Sequence, residues 1–109
     1  MNWNVLTSEE QLAGIRAKSF TKPQLILKHS THCSVSQLIK TRLEKGKTPQ
    51  QLDFHYLDLL TYRSLSNKIA EDLKVYHESP QVLLIKNGEC VFDESHLAIR
   101  MQDILSEAI

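Results

Sequence analysis

The chain has 109 residues, 41% apolar and 24% charged, the proportions of an ordinary globular protein with a packed core, and its length suits one domain (1–109) rather than two. Thirteen basic and thirteen acidic residues cancel, so no broad field draws nucleic acid or an anionic membrane, and neither is expected as a partner. No apolar run approaches the roughly 18 residues of a bilayer span, and the opening MNWNVLTSEEQ lacks the basic-then-apolar order of a secretory leader, which points to a soluble cytoplasmic protein.

Two cysteines, Cys33 and Cys90, are too few for a disulfide-stapled secreted scaffold and read as free thiols. Taken in chain order, a short strand fits around Trp3–Val5. The segment TSEEQLAGIRAKS pairs Thr7 with Glu10 as a capping box. Leu12 and Ile15 recur behind it at helical spacing, which predicts a helix over about 8–19. QLILKH (24–29) follows Pro23 and is short, apolar and β-favouring: a buried strand. CSVSQLIKTRLEKG (33–46) sets Val35, Leu38, Ile39 and Leu43 on one helical face and stops at Gly46. LDFHYLDL (52–59) predicts a strand, and SLSNKIAEDLKVY (64–76) a helix through Leu65, Ile69 and Leu73. In ESPQVLLIKNGECVFD two apolar runs flank Asn87-Gly88, the pair suited to a two-residue hairpin turn. The chain closes with an amphipathic helix over 95–109, starting at Ser95.

Alternating strands and helices favour a parallel sheet, to which the terminal hairpin adds an antiparallel strand. The expected architecture is α/β, a central mixed sheet with helices on both faces, of the thioredoxin type. In such a sheet ligands bind beyond the carboxyl ends of the strands. Cys33 falls there, between the strand LILKH and the helix CSVSQLIK. A helix start offers unpaired amides and partial positive charge, both of which favour thiolate over thiol. The competing reading is a small buried side chain. Against it stand the polar flanks Thr31, His32, Ser34 and Ser36.

Pro80 precedes the strand QVLLIK, where it costs no ladder hydrogen bond. Most X–Pro bonds are trans; a cis bond after Ser79 would bring the Ser79 backbone beside the cysteine.

KHSTHCSVS followed by YHESPQVLLIKNGE resembles the monothiol bacilliredoxins, thioredoxin-fold proteins of the bacillithiol system, over nearly the whole chain. The resemblance implies removal of bacillithiol from S-thiolated protein cysteines, with Cys33 as attacking thiol and Ser79-Pro80 as the cis-proline substrate site. Those proteins usually carry threonine-cysteine-proline; here His32 precedes the cysteine and Ser34 follows it. Losing the proline removes a rigid helix start and frees one more amide near the sulfur.

A dithiol enzyme resolves its mixed disulfide with a cysteine three residues on, and Ser36 holds that position. Cys90 is expected opposite Ile85 across the hairpin. That is five residues from Pro80, roughly 17 Å along a strand, well beyond the 7 Å or so that a disulfide allows. The expected cycle is therefore monothiol, with a low-molecular-weight thiol such as bacillithiol as co-substrate, S-thiolated proteins as partners and no tightly bound cofactor. His32 either tunes Cys33 or is an idle exposed side chain. The Thr31 and Ser36 hydroxyls either bond the thiolate or cap the helix.

Three other readings compete. His29, His32 and Cys33 carry ligand atoms at close spacing, yet a structural zinc wants four ligands and no second cluster is recognisable, so no metal is expected. A binding module whose chemistry has lapsed would keep the fold without the activity. An iron–sulfur monothiol glutaredoxin would need a glycine-phenylalanine pair that CSVS does not supply. Asp58, at the end of its strand, is the carboxylate nearest the cysteine by topology. His77 and Glu78 either shape a groove or belong to a plain loop.

Overall fold

The apolar runs of the sequence become the strands of one sheet, and the amphipathic segments the helices that cover it. The computed structural model describes residues 1–109 and orders them as β1 (Asn4–Val5), α1 (Glu9–Lys18), β2 (Gln24–His29), α2 (Ser34–Glu44), β3 (Asp53–Asp58), α3 (Arg63–Leu73), β4 (Gln81–Lys86), β5 (Glu89–Ser95) and α4 (Met101–Ala108). The sheet runs β1-β3-β2-β4-β5. β1, β3 and β2 are parallel, and β4 is antiparallel to both β2 and β5, so β4 alone runs against the rest.

All six residues of central β2 are buried, because helices cover both faces of the sheet. Leu25 and Leu27 point into a core shared with Ile39 and Leu43 of α2 and Ile104 of α4. Ile26 points into the opposite core with Leu12 and Ile15 of α1 and Leu65 and Ile69 of α3. The period-two alternation of a strand makes this division, and it sends Lys28 to the α1–α3 side and His29 to the α2–α4 side.

The fold class is the expected one; several boundaries differ for identifiable reasons. The first helix is capped by Ser8 rather than Thr7, and Gln11 rather than Glu10 closes the box. Gln11 Oε1 accepts from both the Thr7 amide (2.6 Å) and the Ser8 amide (3.0 Å), so one glutamine serves two donors. In α2, Leu38 is not on the buried face but 52% exposed. It lies about 60° outside the arc spanned by Val35, Ser36, Ile39 and Leu43 at 100° per residue. α3 ends at Leu73, not 76, because Lys74 turns left-handed (φ 57°) and stops it.

The largest correction is at the end of the chain. Ser95 starts no helix: it is the last residue of β5, paired with Gln81. His96 is left-handed (φ 56°), a 3₁₀ turn spans His96–Ala98, and the helix begins only at Met101. The hairpin forms as expected, with Asn87 (φ 54°) and Gly88 (φ 79°) both left-handed. Its turn is tied to the end of α1, the Asn87 amide donating to Ser19 O at 3.1 Å and the Gly88 amide to Ser19 Oγ at 2.8 Å. No helix is long and apolar enough to cross a membrane.

Candidate functional site

Ser30, Thr31, His32 and Cys33 separate β2 from α2, and Ser30 folds that connection back on itself: the Cys33 amide donates to Ser30 O at 3.2 Å. Cys33 is the N-cap of α2, extended at φ −109° and ψ 121°, and its side chain accepts no cap bond from the helix amides. Its carbonyl accepts the first helical bond, from the Gln37 amide at 3.1 Å. The N-cap side chain thus leaves the opening amides of α2 without a cap bond, and the half-exposed thiol stands at the same helix start. The first turn holds no acidic residue to compete for the positive end of the helix dipole.

Thr31, His32 and Ser34 around the thiol are exposed, whereas Ser36 is fully buried. Ser36 Oγ does not cap the helix. It accepts the Ser30 amide at 3.0 Å and lies 2.7 Å from His29 Nδ1. The hydroxyl in the resolving position therefore belongs to a knot beneath the cysteine turn. His29 is itself buried and packs its ring on Tyr56, with centroids 5.4 Å apart. Burial holds the His29 pKa below its usual value, and nearby Lys40 adds to the effect.

Pro80 reaches the same end of the sheet from the other side. Gln81 pairs with Lys28, so Pro80 lies across from the end of β2. The Ser79–Pro80 bond is cis, and Pro80 O accepts the His96 amide at 2.9 Å. Ser79 Oγ is buried with no hydrogen-bond partner. Around the proline the loop is tied down: Gln81 Nε2 donates to Tyr76 O at 2.9 Å, and Glu78 pairs with His96 at 3.0 Å. His77 and Glu78 therefore both carry tethering bonds.

Lys28 goes unremarked in the sequence and His29 enters it only as a candidate metal ligand; their signal is two polar residues ending a strand whose middle is apolar. Lys28 has no solvent exposure at all. Its Nζ donates to Ser66 O at 3.1 Å and sits 3.2 Å from His77 Nδ1, which places a cation behind the cis-proline loop. Burial pulls the Lys28 pKa down to about 8. His77 is lowered too, first by burial and then by the Lys28 charge.

Asp58 does not reach toward the thiol: its oxygens accept from the Leu60 amide (3.2 Å) and Thr61 Oγ1 (2.8 Å), capping the turn after β3. His29, His32 and Cys33 form no ligand cluster, and no three His, Cys, Asp or Glu side chains converge to hold a metal ion. Cys90 pairs with Ile85 as its hairpin register requires, at the far end of β4 from Pro80. Its Sγ donates to Phe92 O at 3.4 Å, and burial pushes the thiol up to about 11. The two cysteines thus differ in kind as well as place: one sits beside free amides, the other against the α1–α3 core.

Comparison with known proteins bears on the family and the fold. Residues 4–104 match the family described as monothiol bacilliredoxin BrxC. A solved thioredoxin-fold protein described as a candidate oxidoreductase is 30% identical, with a TM-score of 0.83 over 94% of this chain and 90% of its own. Thioredoxin from Malassezia sympodialis is 17% identical, with a TM-score of 0.80 over 99% of this chain and 92% of its own. Oxidised thioredoxin from Plasmodium falciparum is 18% identical, with a TM-score of 0.77 over 99% of this chain and all of its own. The last two likenesses concern the fold alone.

Proposed function

The chain belongs to the monothiol bacilliredoxin family of thioredoxin-like thiol oxidoreductases, and from that premise we propose that it strips a low-molecular-weight thiol, bacillithiol, from S-thiolated protein cysteines through Cys33. The Cys33 thiolate attacks the small-thiol sulfur of a protein–S–S–R adduct. The protein thiolate leaves and takes up a proton, and Cys33–S–S–R remains. A second R–S⁻ then attacks that adduct, releasing R–S–S–R and the Cys33 thiolate. The net exchange turns protein–S–S–R and R–SH into protein–SH and R–S–S–R, and no cofactor is consumed.

The observation that carries this reading is a half-exposed thiol at an uncapped helix start, with a buried serine where a resolving thiol would be. Free amides favour the anionic nucleophile. Ser34 in place of proline at the first helical position leaves one more of them. In this reading the exposed Thr31 and His32 precede the nucleophile in its turn, and Ser79 and Pro80 would supply the backbone edge against which an extended disulfide substrate lies.

The test is de-thiolation of an S-bacillithiolated protein, followed by mass. Cys33→Ser is expected to lose all turnover and Cys90→Ser to keep it. Activity retained in Cys33→Ser, or abolished in Cys90→Ser, would overturn the mechanism. Mass spectrometry of protein taken from its native cells is expected to find the small-thiol adduct on Cys33 alone.

A further inference from the structure

We infer that His29 is a positioning residue for the nucleophile, acting through Ser36: it takes the serine hydroxyl hydrogen and so decides whether that hydrogen can reach the Cys33 sulfur. The inference rests on Cys33 being the reacting thiol and names a residue of the same site.

Donors and acceptors can be counted. Ser36 Oγ has one hydrogen and two lone pairs. One lone pair accepts the Ser30 amide at 3.0 Å. At 2.7 Å from His29 Nδ1, the hydrogen goes to that nitrogen when the ring is neutral with its proton on Nε2. Ser30 in turn accepts from the Cys33 amide through its carbonyl, so one hydroxyl anchors both sides of the cysteine turn. Ser36 is the third residue of the helix that Cys33 caps. Residues at that spacing lie on one side of a helix turn, which puts the Ser36 hydroxyl on the same side of the turn as the cysteine; a hydroxyl hydrogen released from His29 is then free to turn toward a thiolate there.

Protonation of His29 makes the same release. Both ring nitrogens then donate, Ser36 Oγ must accept from Nδ1 and from Ser30 together, and its hydrogen is expelled. The groups facing His29 are Lys40 and Glu44 from α2 and Tyr56 and Asp58 from β3. β4 brings only Lys86, at its far end. Burial and Lys40 outweigh the two carboxylates and the Ser36 backbone, which favour the charged ring, and keep it neutral near pH 7. In that state the hydrogen is held away from sulfur.

The experiment follows thiolate absorbance against pH in a Cys90→Ser background, which reads Cys33 without any S-thiolated substrate. Failure of de-thiolation would thus count against the proposed function and leave this inference standing. His29→Leu removes the acceptor and is expected to raise the Cys33 thiolate fraction near pH 7 about threefold. His29→Asn, which keeps an acceptor oxygen at the Nδ1 position, is expected to restore the parent profile. The Leu effect is expected to vanish when Ser36→Ala is added. Should His29→Leu not fold, nitrogen NMR of the unsubstituted protein is expected to show an unprotonated Nδ1 at pH 7. A protonated Nδ1, an unchanged profile in folded His29→Leu, or a shift that survives without Ser36 would each overturn the inference.

Discussion

Lys28 ends up without solvent contact on a strand whose other residues are apolar or locally paired. Burying an ammonium is costly even with a carbonyl and an imidazole to receive it. Since burial lowers its pKa to about 8 from the ordinary lysine value of 10.5, the unfolded chain binds more protons between those pH values than the folded one. The contribution of Lys28 to stability therefore rises as pH climbs from about 8 to 10.5, and the full penalty is borne below about pH 8. Lys28→Met is expected to stabilise the protein at pH 7 by about 1–2 kcal/mol, with the gain shrinking toward pH 10. Denaturant melts of both proteins across that range would check it, and a gain that grows with pH would contradict the assignment. If the lysine also steadies the cis-proline loop through His77, the same variant will weaken substrate binding while raising stability.

At the scale of elements, the start of α2 and the β4–β5 turn respond to single substitutions in opposite directions. Cys33 already has the extended conformation that a following proline demands, and Ser34 stands at the first helical position, where no amide is needed. Ser34→Pro is expected to raise stability by about 0.5–1 kcal/mol while withdrawing one donor from the sulfur, so that Cys33 alkylation at pH 7 slows. Thermal melts and alkylation rates measured together would separate the two effects. Gly88 is the converse case. Its φ of 79° is left-handed, and a Cβ there would meet the Phe20 ring at 3.1 Å. Gly88→Ala is expected to cost about 1–2 kcal/mol in denaturant melts. The hairpin was legible in the sequence because Asn-Gly states its own turn geometry. The last helix was not, since strand pairing to Ser95 and a left-handed His96 override a helical apolar pattern. Cys33 stands out in the sequence by its place before a helix start, whereas the cis bond at Pro80 is implied only by the family resemblance, since position before a strand favours trans. The knot of His29, Ser30 and Ser36 was not legible, because its bonds form only once β2 and α2 lie against each other.

For the whole molecule, sheet order decides which residues can meet. β2 is central, with β3 and β4 on either side, so the cysteine turn and the cis-proline loop share one end of the sheet. The Asn87-Gly88 turn carries Cys90 to the other end. Mild oxidation of the pure protein is therefore expected to give interchain Cys33–Cys33 links, with Cys90 left reduced. Peptide mapping without reductant would show this, and an intramolecular Cys33–Cys90 bridge would be incompatible with the sheet described.

Ser36 has a kinetic meaning that outlasts its hydrogen bonds. A thiol in its place would reach the neighbouring sulfur at the high effective concentration of a tethered group. With a hydroxyl there, the loaded protein under the proposed cycle waits for a free thiol to arrive by collision, and its lifetime scales inversely with the ambient thiol supply. Occupancy of the adduct thereby becomes a gauge of that reservoir, long when it is depleted and brief when it is full.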